Sequence, residues 1–306
     1  ILRNNNVNKL TSMKRAKKLD GIWYLLDIDT QEATVIKSQD DEYSGKIIIP
    51  SSFFHEGIIY SVTRIGEQAF LLCHRLYSIA IPDSVIRIES EAFDGCWELE
   101  EVHITSIERW CNIEFNGRCS NPLNNSWEAS YGRNTTNLYI NGDVITELII
   151  PGTVKTIKDG AFMGCDGLIS VIILDGVTSI GNYSFCGCAR LKSIAMPDSL
   201  TEIRTGAFMG CSNLINITIP NGVSTIGNEA FSDCKGLTTI DISIGVKNIG
   251  ESAFEDCRNL VSVIGGKNIK NIGDYAFTGC ESLSSFDISD NVETIGNCAF
   301  YNCLSL

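Results

Sequence analysis

Phenylalanine recurs in this chain at a spacing of 23 residues, and this period restricts the possible folds more than any other feature. Each phenylalanine of the series is followed three residues later by cysteine and six residues later by leucine. The phenylalanine and cysteine series, hereafter the ladder, is Phe70, Cys73, Phe93, Cys96, Phe162, Cys165, Phe185, Cys188, Phe208, Cys211, Phe231, Cys234, Phe254, Cys257, Phe277, Cys280, Phe300 and Cys303. Only the interval between Phe93 and Phe162 differs, and it equals three periods. A fixed period of this length predicts a solenoid of stacked repeats.

Within each unit, apolar residues alternate and then give way to glycine. Ile217 and Ile219 alternate with polar neighbours, which predicts a strand with one buried face. Val223 and Ile226 form a second apolar pair, and Gly227 follows where the chain must turn a tight corner. The Ala-Phe stretch that opens the next unit is long enough only for a short helical turn.

A 23-residue unit cannot bury its apolar edge alone and must share a core with its neighbours. Successive strands then become parallel neighbours about 4.8 Å apart, and a parallel crossover is expected to be right-handed. The sequence therefore predicts an α/β, right-handed solenoid of 23-residue coils with a parallel β-sheet face and short helical turns.

The chain divides by composition and by the rhythm of the repeat. We expect a basic tail or linker over residues 1–20, a strand-rich N-terminal cap over 21–60, and the solenoid over 61–306. The period is disturbed over about 107–141, which indicates an irregular insertion on one face. The chain ends in the middle of a unit, so we expect either truncation of a longer array or disorder beyond it.

Residues 213–234, NLINITIPNGVSTIGNEAFSDC, resemble the unit of the BspA-type leucine-rich repeat family. The resemblance covers residues 46–306, with the insertion as its degenerate part. It implies a leucine-rich-repeat solenoid in a secreted or cell-surface protein of host-associated bacteria. It also implies non-enzymatic adhesion to host matrix proteins or to other cell-surface proteins.

The charge balance argues against a nucleic-acid or membrane-surface partner. The net charge is −13. Outside the first twenty residues, the chain contains 36 acidic side chains and only 18 basic ones. Such a body repels phosphate backbones and anionic lipid. No apolar run approaches the length that spans a bilayer.

The thirteen cysteines allow three interpretations: disulfides, a metal site, or core packing. Side chains stacked one coil apart point in parallel directions, too far apart for an unstrained disulfide. Cys186 and Cys188 are the two cysteines closest to each other in sequence, and no histidine is suitably placed to complete a metal site with them. We therefore predict that the protein binds neither a metal nor another cofactor. We expect the ladder thiols to be reduced and buried, and Cys111, Cys186 and Cys298 to be those worth testing for reactivity.

A catalytic site is not expected. The chain has three histidines, and Cys73 and His74 are adjacent, which directs their side chains apart. No phosphate-binding glycine loop is present. We therefore predict that the protein is not an enzyme.

Two regions could bind a partner. The outward strand positions are small or polar and form either an ordinary solvated face or a shallow protein-docking surface; the candidates are Glu101, His103, Asn216, Thr218, Thr239, Asp241, Ser285 and Asp287. The insertion carries Trp110, Trp127 and Tyr131, which either pack its irregular coil or form a binding hot spot.

The expected partner is a host matrix or cell-surface protein. The alternative is a carbohydrate-binding accessory surface protein, for which sugar binding would depend on Trp127 of the insertion. No nucleic acid and no direct membrane insertion are expected.

Overall fold

The computed structural model describes residues 14–117, 119–124 and 136–306. Over this part, the chain forms a solenoid of about ten coils, and each regular coil contributes one longer and one very short parallel strand. The longer strands line one side of the solenoid and the short strands another. The apolar side chains between these two sides form one continuous core.

The N-terminal end is capped by antiparallel strands. The elements up to the insertion are β1 (Lys14–Leu19), β2 (Ile22–Asp27), β3 (Glu32–Val35), β4 (Gly45–Ile48), β5 (Ser52–His55), β6 (Ile58–Ile65), β7 (Leu76–Ala80), β8 (Arg87–Ile88) and β9 (Glu101–Ile104). β1, β2 and β3 pair in antiparallel order, and β5 forms a hairpin with β6. β3 and β8 then pair with β6 in parallel, which joins the cap to the short-strand side of the solenoid.

The cap begins earlier than the sequence indicated. Lys14–Leu19, placed in a basic tail by its composition, is the edge strand of the cap. Its basic side chains are exposed while its main chain pairs with β2, so a polar composition did not prevent strand pairing. Residues 1–13 lie outside the described residues.

The insertion interrupts the regular stacking. Its described elements are α1 (Ile107–Cys111), β10 (Glu114–Phe115), β11 (Asn137–Ile140) and β12 (Asp143–Val144). Asn137 pairs with Glu101, although a regular coil would place residue 124 there. β12 then turns back antiparallel to β11 and ends this part of the long-strand sheet.

Regular coils resume after the insertion and continue to the last described residue. The remaining strands are β13 (Glu147–Ile150), β14 (Thr156–Ile157), β15 (Ser170–Ile173), β16 (Ser179–Ile180), β17 (Ser193–Ala195), β18 (Glu202–Ile203), β19 (Asn216–Ile219), β20 (Thr225–Ile226), β21 (Thr239–Ile242), β22 (Asn248–Ile249), β23 (Ser262–Gly265), β24 (Asn271–Ile272), β25 (Ser285–Phe286) and β26 (Thr294–Ile295). Odd-numbered strands form the longer-strand side and even-numbered strands form one seven-stranded parallel sheet.

The ladder phenylalanines stack as two columns of nearly parallel rings. Neighbouring ring centroids lie 5.1–5.5 Å apart, from Phe70 to Phe93 and again from Phe162 to Phe300. All of these rings are fully buried except Phe300, which is half-buried in the last coil. The 23-residue period therefore places identical side chains directly above one another in the core.

The expected short helical turns are not confirmed. The Ala-Phe stretches are hydrogen-bonded turns, and the five-residue α1 is the single helix in the described part of the chain. Glu229 and Asp233, on either side of Phe231, both have positive φ, which ends any helical path. The N–H of Phe231 instead donates to the carbonyl of Ala253 in the next coil, at 2.8 Å. Stacking between coils thus replaces helix formation within a coil, and the α/β label is not confirmed.

Candidate functional site: the long-strand face

The long-strand face consists of the outward positions of β4, β7, β9, β11 and the odd-numbered strands from β13 to β25. Parallel pairing aligns these positions into two rows within three stretches, from β4 to β11, from β13 to β17 and from β19 to β25. The first row is Lys46, Ser78, Glu101, Asn137, Glu147, Ser170, Ser193, Asn216, Thr239, Ser262 and Ser285. The second row is Ile48, Ala80, His103, Tyr139, Ile149, Ile172, Ala195, Thr218, Asp241, Ile264 and Asp287.

The structure separates the predicted strand residues into two groups. Glu101 and His103 lie on β9, before the insertion. The other group occupies neighbouring strands near the C-terminal end, where Asn216 pairs with Thr239 and Thr218 with Asp241. Ser285 and Asp287 complete the second group, which consists of Asn216, Thr218, Thr239, Asp241, Ser285 and Asp287.

The first group contains a small polar and aromatic cluster. Nε2 of His103 lies 2.9 Å from Oε2 of Glu101, and its ring stacks on Tyr139 with centroids 4.8 Å apart. The hydrogen bond with His103 is the main cause that lowers the pKa of the Glu101 carboxyl. Glu101 is therefore a carboxylate at neutral pH, held by its neighbour rather than free to swing.

The second group places carboxylates beside an exposed isoleucine. Asp241 pairs with Ile264, and Asp287 lies just beyond β25 on the other side of Ile264. All three side chains are exposed. Two carboxylates separated by two strand spacings, roughly 10 Å, thus flank an apolar contact point.

The long-strand face is more apolar than the small or polar surface that the sequence predicts. Ile149 and Ile172 are direct partners across β13 and β15, and they are 55% and 45% exposed. Ile48 and Ile264 are also more than half exposed in the same row. Ile172 and Ile264 lie ten positions after a ladder phenylalanine, where the repeat predicts an outward side chain. The candidate binding residues nevertheless included neither of them, nor Ile48, Ile149 and Tyr139.

The proposed role of Trp110 in binding is wrong, because its indole is fully buried. Its Nε1–H donates to the carbonyl oxygen of Ala161 at 2.8 Å, and the amide of Asn121 donates to the same oxygen at 3.0 Å. In a regular coil that carbonyl accepts from a phenylalanine N–H, as Ala230 does from Phe208. Side chains of the insertion therefore supply the hydrogen-bond donors that the irregular backbone lacks. Trp127 and Tyr131 lie outside the described residues.

The thiols are deeply protected. Twelve of the thirteen cysteines are buried or half-buried, and Cys298 is the exposed one. Burial raises the pKa of Cys73 to about 11, that of Cys165 to about 12, and that of off-ladder Cys186 to about 11. Burial also raises the pKa of Cys111 strongly. These thiols are poor nucleophiles at neutral pH.

Neither a metal centre nor a membrane span is found in the described part of the chain. No group of three or more histidine, cysteine, aspartate or glutamate side chains there could hold a metal ion. None of its helices has the length and apolar character needed to cross a bilayer.

The fold and the surface together define a parallel-strand repeat solenoid with a long, exposed sheet face. The family model for the BspA type leucine rich repeat region matches residues 51–125, 135–261 and 202–306, in six copies. These matches cover most of the chain. The chain belongs to the BspA-type leucine-rich repeat family, as the resemblance of its repeat unit implied.

Solved structures of similar proteins come from several bacteria. A leucine rich cell surface protein from Faecalibacterium prausnitzii A2-165 is 24% identical, with 95% of this chain and 93% of that chain covered and a TM-score of 0.48. A leucine-rich repeat protein from Bacteroides ovatus ATCC 8483 is 22% identical, with 96% and 91% covered and a TM-score of 0.42. One from Eubacterium ventriosum ATCC 27560 is 18% identical, with 92% of each chain covered and a TM-score of 0.42. No curated protein matches the sequence.

Proposed function

We propose that this protein is a non-enzymatic, cell-surface scaffold that binds proteins through its long-strand face. The observation that supports the proposal is the combination of exposed isoleucines with carboxylates on the long-strand face. Protein interfaces combine apolar contact points with a polar rim, and monomeric proteins rarely leave large apolar areas uncovered. A repeat scaffold of this family suits protein interaction.

The chemistry of the face indicates what a partner must offer. Its two rows contain four carboxylates and a single lysine. The carboxylates are those of Glu101, Glu147, Asp241 and Asp287, and the lysine is Lys46. The partner we expect is a host matrix or other cell-surface protein that presents apolar side chains with lysines or arginines between them. Opposite charges would guide the encounter, and the isoleucines would supply contact area.

A binding assay with immobilised host matrix proteins tests this function. We expect saturable binding, and a variant with Asp241→Lys and Asp287→Lys that binds at least tenfold more weakly. Ile172→Asp tests the apolar contribution in the same assay. The matched control is Glu67→Lys with Glu251→Lys, which makes the same change in charge at exposed corner positions three residues before a ladder phenylalanine.

The comparison between the two double variants decides the outcome. Equal loss of binding in both would mean that only net charge matters and would remove the long-strand face from the proposal. Full binding by Asp241→Lys with Asp287→Lys and by Ile172→Asp would also contradict it. Thermal unfolding of every variant shows whether a loss of binding reflects a loss of folding.

A further inference from the structure

The stretch of the long-strand face from β19 to β25, hereafter the C-terminal strip, presents its outward side chains at a fixed spacing. Asp241 pairs with Ile264, and Val263 pairs with Phe286, so the next residue, Asp287, lies beside Ile264. Neighbouring strands of a sheet are about 4.8 Å apart, which separates Asp241 from Asp287 by roughly 10 Å with Ile264 midway. One side chain per coil therefore follows the solenoid axis in the order carboxylate, isoleucine, carboxylate.

The two carboxylates of the C-terminal strip are not neutralised by a neighbouring cation. Asp241 and Asp287 are exposed, and neither forms an ion pair with another described residue. The four strands of the strip contain neither lysine nor arginine. A partner that presents two cations about 10 Å apart is therefore complementary in charge to this surface.

Exposed apolar side chains lie between and beside these carboxylates. Ile264 is 52% exposed, and Val261 and Ile215, which immediately precede β23 and β19, are 46% and 47% exposed. Backbone hydrogen bonds keep this second position in register, since the N–H of Thr238 donates to Ile215 at 2.8 Å and that of Val261 donates to Thr238 at 2.9 Å. Three residues of extended chain separate Val261 from Ile264 by about 10 Å, which is the width of a helix with its side chains.

The spacing of the C-terminal strip matches an α-helix that lies along the solenoid axis. A helix rises about 5.4 Å per turn, so one turn spans about one coil and seven residues span about 10.5 Å on the same side of the helix. This length corresponds to the separation of Asp241 and Asp287. An extended segment covers the same distance in about three residues, and residues three apart point to opposite sides of a strand. A helix therefore presents one side chain to each coil, whereas an extended segment along the axis does not.

We propose that the C-terminal strip binds a basic amphipathic helix of a partner protein, with cations seven residues apart and an apolar residue midway between them. The two cations pair with Asp241 and Asp287, and the apolar residue packs on Ile264. Further apolar residues on the same side of the helix cover Val261 and Ile215. This inference rests on the proposed function, because it names the element by which a protein partner is held on the long-strand face.

The probe is a synthetic helical peptide of about 20 residues that carries a lysine every seven residues and a leucine midway between lysines, on an alanine and glutamine background. The control peptide has the same composition, with its lysines and leucines distributed around the helix. Circular dichroism shows that both peptides are helical, and fluorescence anisotropy measures their binding. We expect saturable binding of the patterned peptide and binding of the control peptide that is weaker by about tenfold.

Variants of the C-terminal strip locate the binding. Asp241→Asn with Asp287→Asn is expected to weaken binding of the patterned peptide about tenfold, and Ile264→Ser about fivefold. The matched control, Glu67→Gln with Glu251→Gln, removes two exposed carboxylates from corner positions and should change binding by less than about twofold. Asp241→Lys with Asp287→Lys should bind a peptide in which glutamate replaces every lysine, a gain that a loss of folding does not produce.

The peptides and variants together decide the proposal. Preference for the patterned peptide that is lost in the strip variants and kept in the corner variant supports it. Equal binding of the two peptides, equal loss in the two double variants, or no binding of the patterned peptide overturns it. If the parent protein binds matrix proteins through Asp241 and Asp287 but not the patterned peptide, this inference fails and the proposed function stands. If it binds the patterned peptide but no matrix protein, the helix site stands and the proposed host partner fails.

Discussion

The thiol of Cys234 donates a hydrogen bond of 3.2 Å to the carbonyl oxygen of Phe208, 26 residues earlier in the preceding coil. The same oxygen accepts the N–H of Cys211 at 3.1 Å, so both of its lone pairs are used. Six further cysteines donate to a ladder phenylalanine in the same way: Cys96, Cys188, Cys211, Cys257, Cys280 and Cys303. Cysteine suits this position because it combines an apolar body with a weak donor.

Replacing this thiol tests its contribution to stability. Cys234→Ala is expected to lower the free energy of unfolding by about 1 kcal/mol, because the core loses the sulfur atom and the carbonyl of Phe208 loses a donor. Cys298→Ala is the control, since that side chain is exposed and its loss is expected to change stability by less than about 0.5 kcal/mol. Urea unfolding measures both, and equal stability of the two variants would contradict the role of the thiol.

Thiol reactivity follows from burial. At pH 8 the folded protein is expected to react rapidly with a thiol-specific disulfide reagent at Cys298 alone. Cys186 should react slowly because burial raises its pKa to about 11. All thirteen thiols should react after denaturation. The Cys298→Ala variant removes the rapid phase, and a rapid phase that survives in it would show that another thiol is accessible.

Stability is expected to fall at alkaline pH. Burial raises the pKa of Cys257 well above its ordinary value, so the folded state keeps this proton while the unfolded state releases it above roughly pH 8.5–9. The free energy of unfolding therefore falls as pH rises through this window, by up to about 1.4 kcal/mol per pH unit for each such thiol.

Unfolding between pH 8 and 10.5 measures this loss, and Cys257→Ala is the control. The variant removes one titrating thiol and should show a shallower decline than the parent protein. Parallel declines in the two proteins would assign the alkaline loss to other groups.

The stacked phenylalanine rings are expected to contribute much of the stability of the core. Phe231→Ala is expected to lower the free energy of unfolding by about 3–5 kcal/mol, because its ring lies between those of Phe208 and Phe254. Phe54→Ala removes the same atoms from an exposed site and should change stability by less than about 0.5 kcal/mol. Similar losses in both variants, measured by urea unfolding, would contradict the stacked core.

The buried indole of the insertion acts as a donor as well as a core side chain. Trp110→Phe is expected to cost about 1–3 kcal/mol, because it removes the Nε1–H that donates to Ala161 and leaves a smaller ring in the core. A calorimetric or urea unfolding curve that matches the parent protein would argue that Asn121 alone satisfies this carbonyl.

Much of the solenoid could be predicted because its contacts repeat. Phe208, Phe231 and Phe254 meet because they are 23 residues apart, and each coil contacts only its neighbours. The cysteine spacing predicted burial for the same reason. The expected helical turns are not confirmed, because local propensity does not reveal that the N–H of Phe231 pairs with the next coil.

The residues of the long-strand face could be predicted only in part from the sequence. Asp241 and Asp287 were found because they occupy outward positions of the repeat, and they are exposed. Ile172 occupies an outward position by the same spacing, but the candidate residues were chosen among polar side chains, which left out the exposed Ile172 and Ile149. The sequence left two roles open for Trp110, core packing or binding, because its partner, Ala161, lies 51 positions away across the irregular segment.

The sequence by itself determined the period, the identity of the ladder, the parallel strands and the membership of a repeat family. These properties follow from spacing, since residues one period apart become neighbours in any stacked solenoid. The tertiary structure alone decided the register of the insertion, the burial of Trp110 and the stacking of Trp97 on His74. In these places the repeat is irregular or meets the cap, and no periodic rule specifies which atoms come into contact.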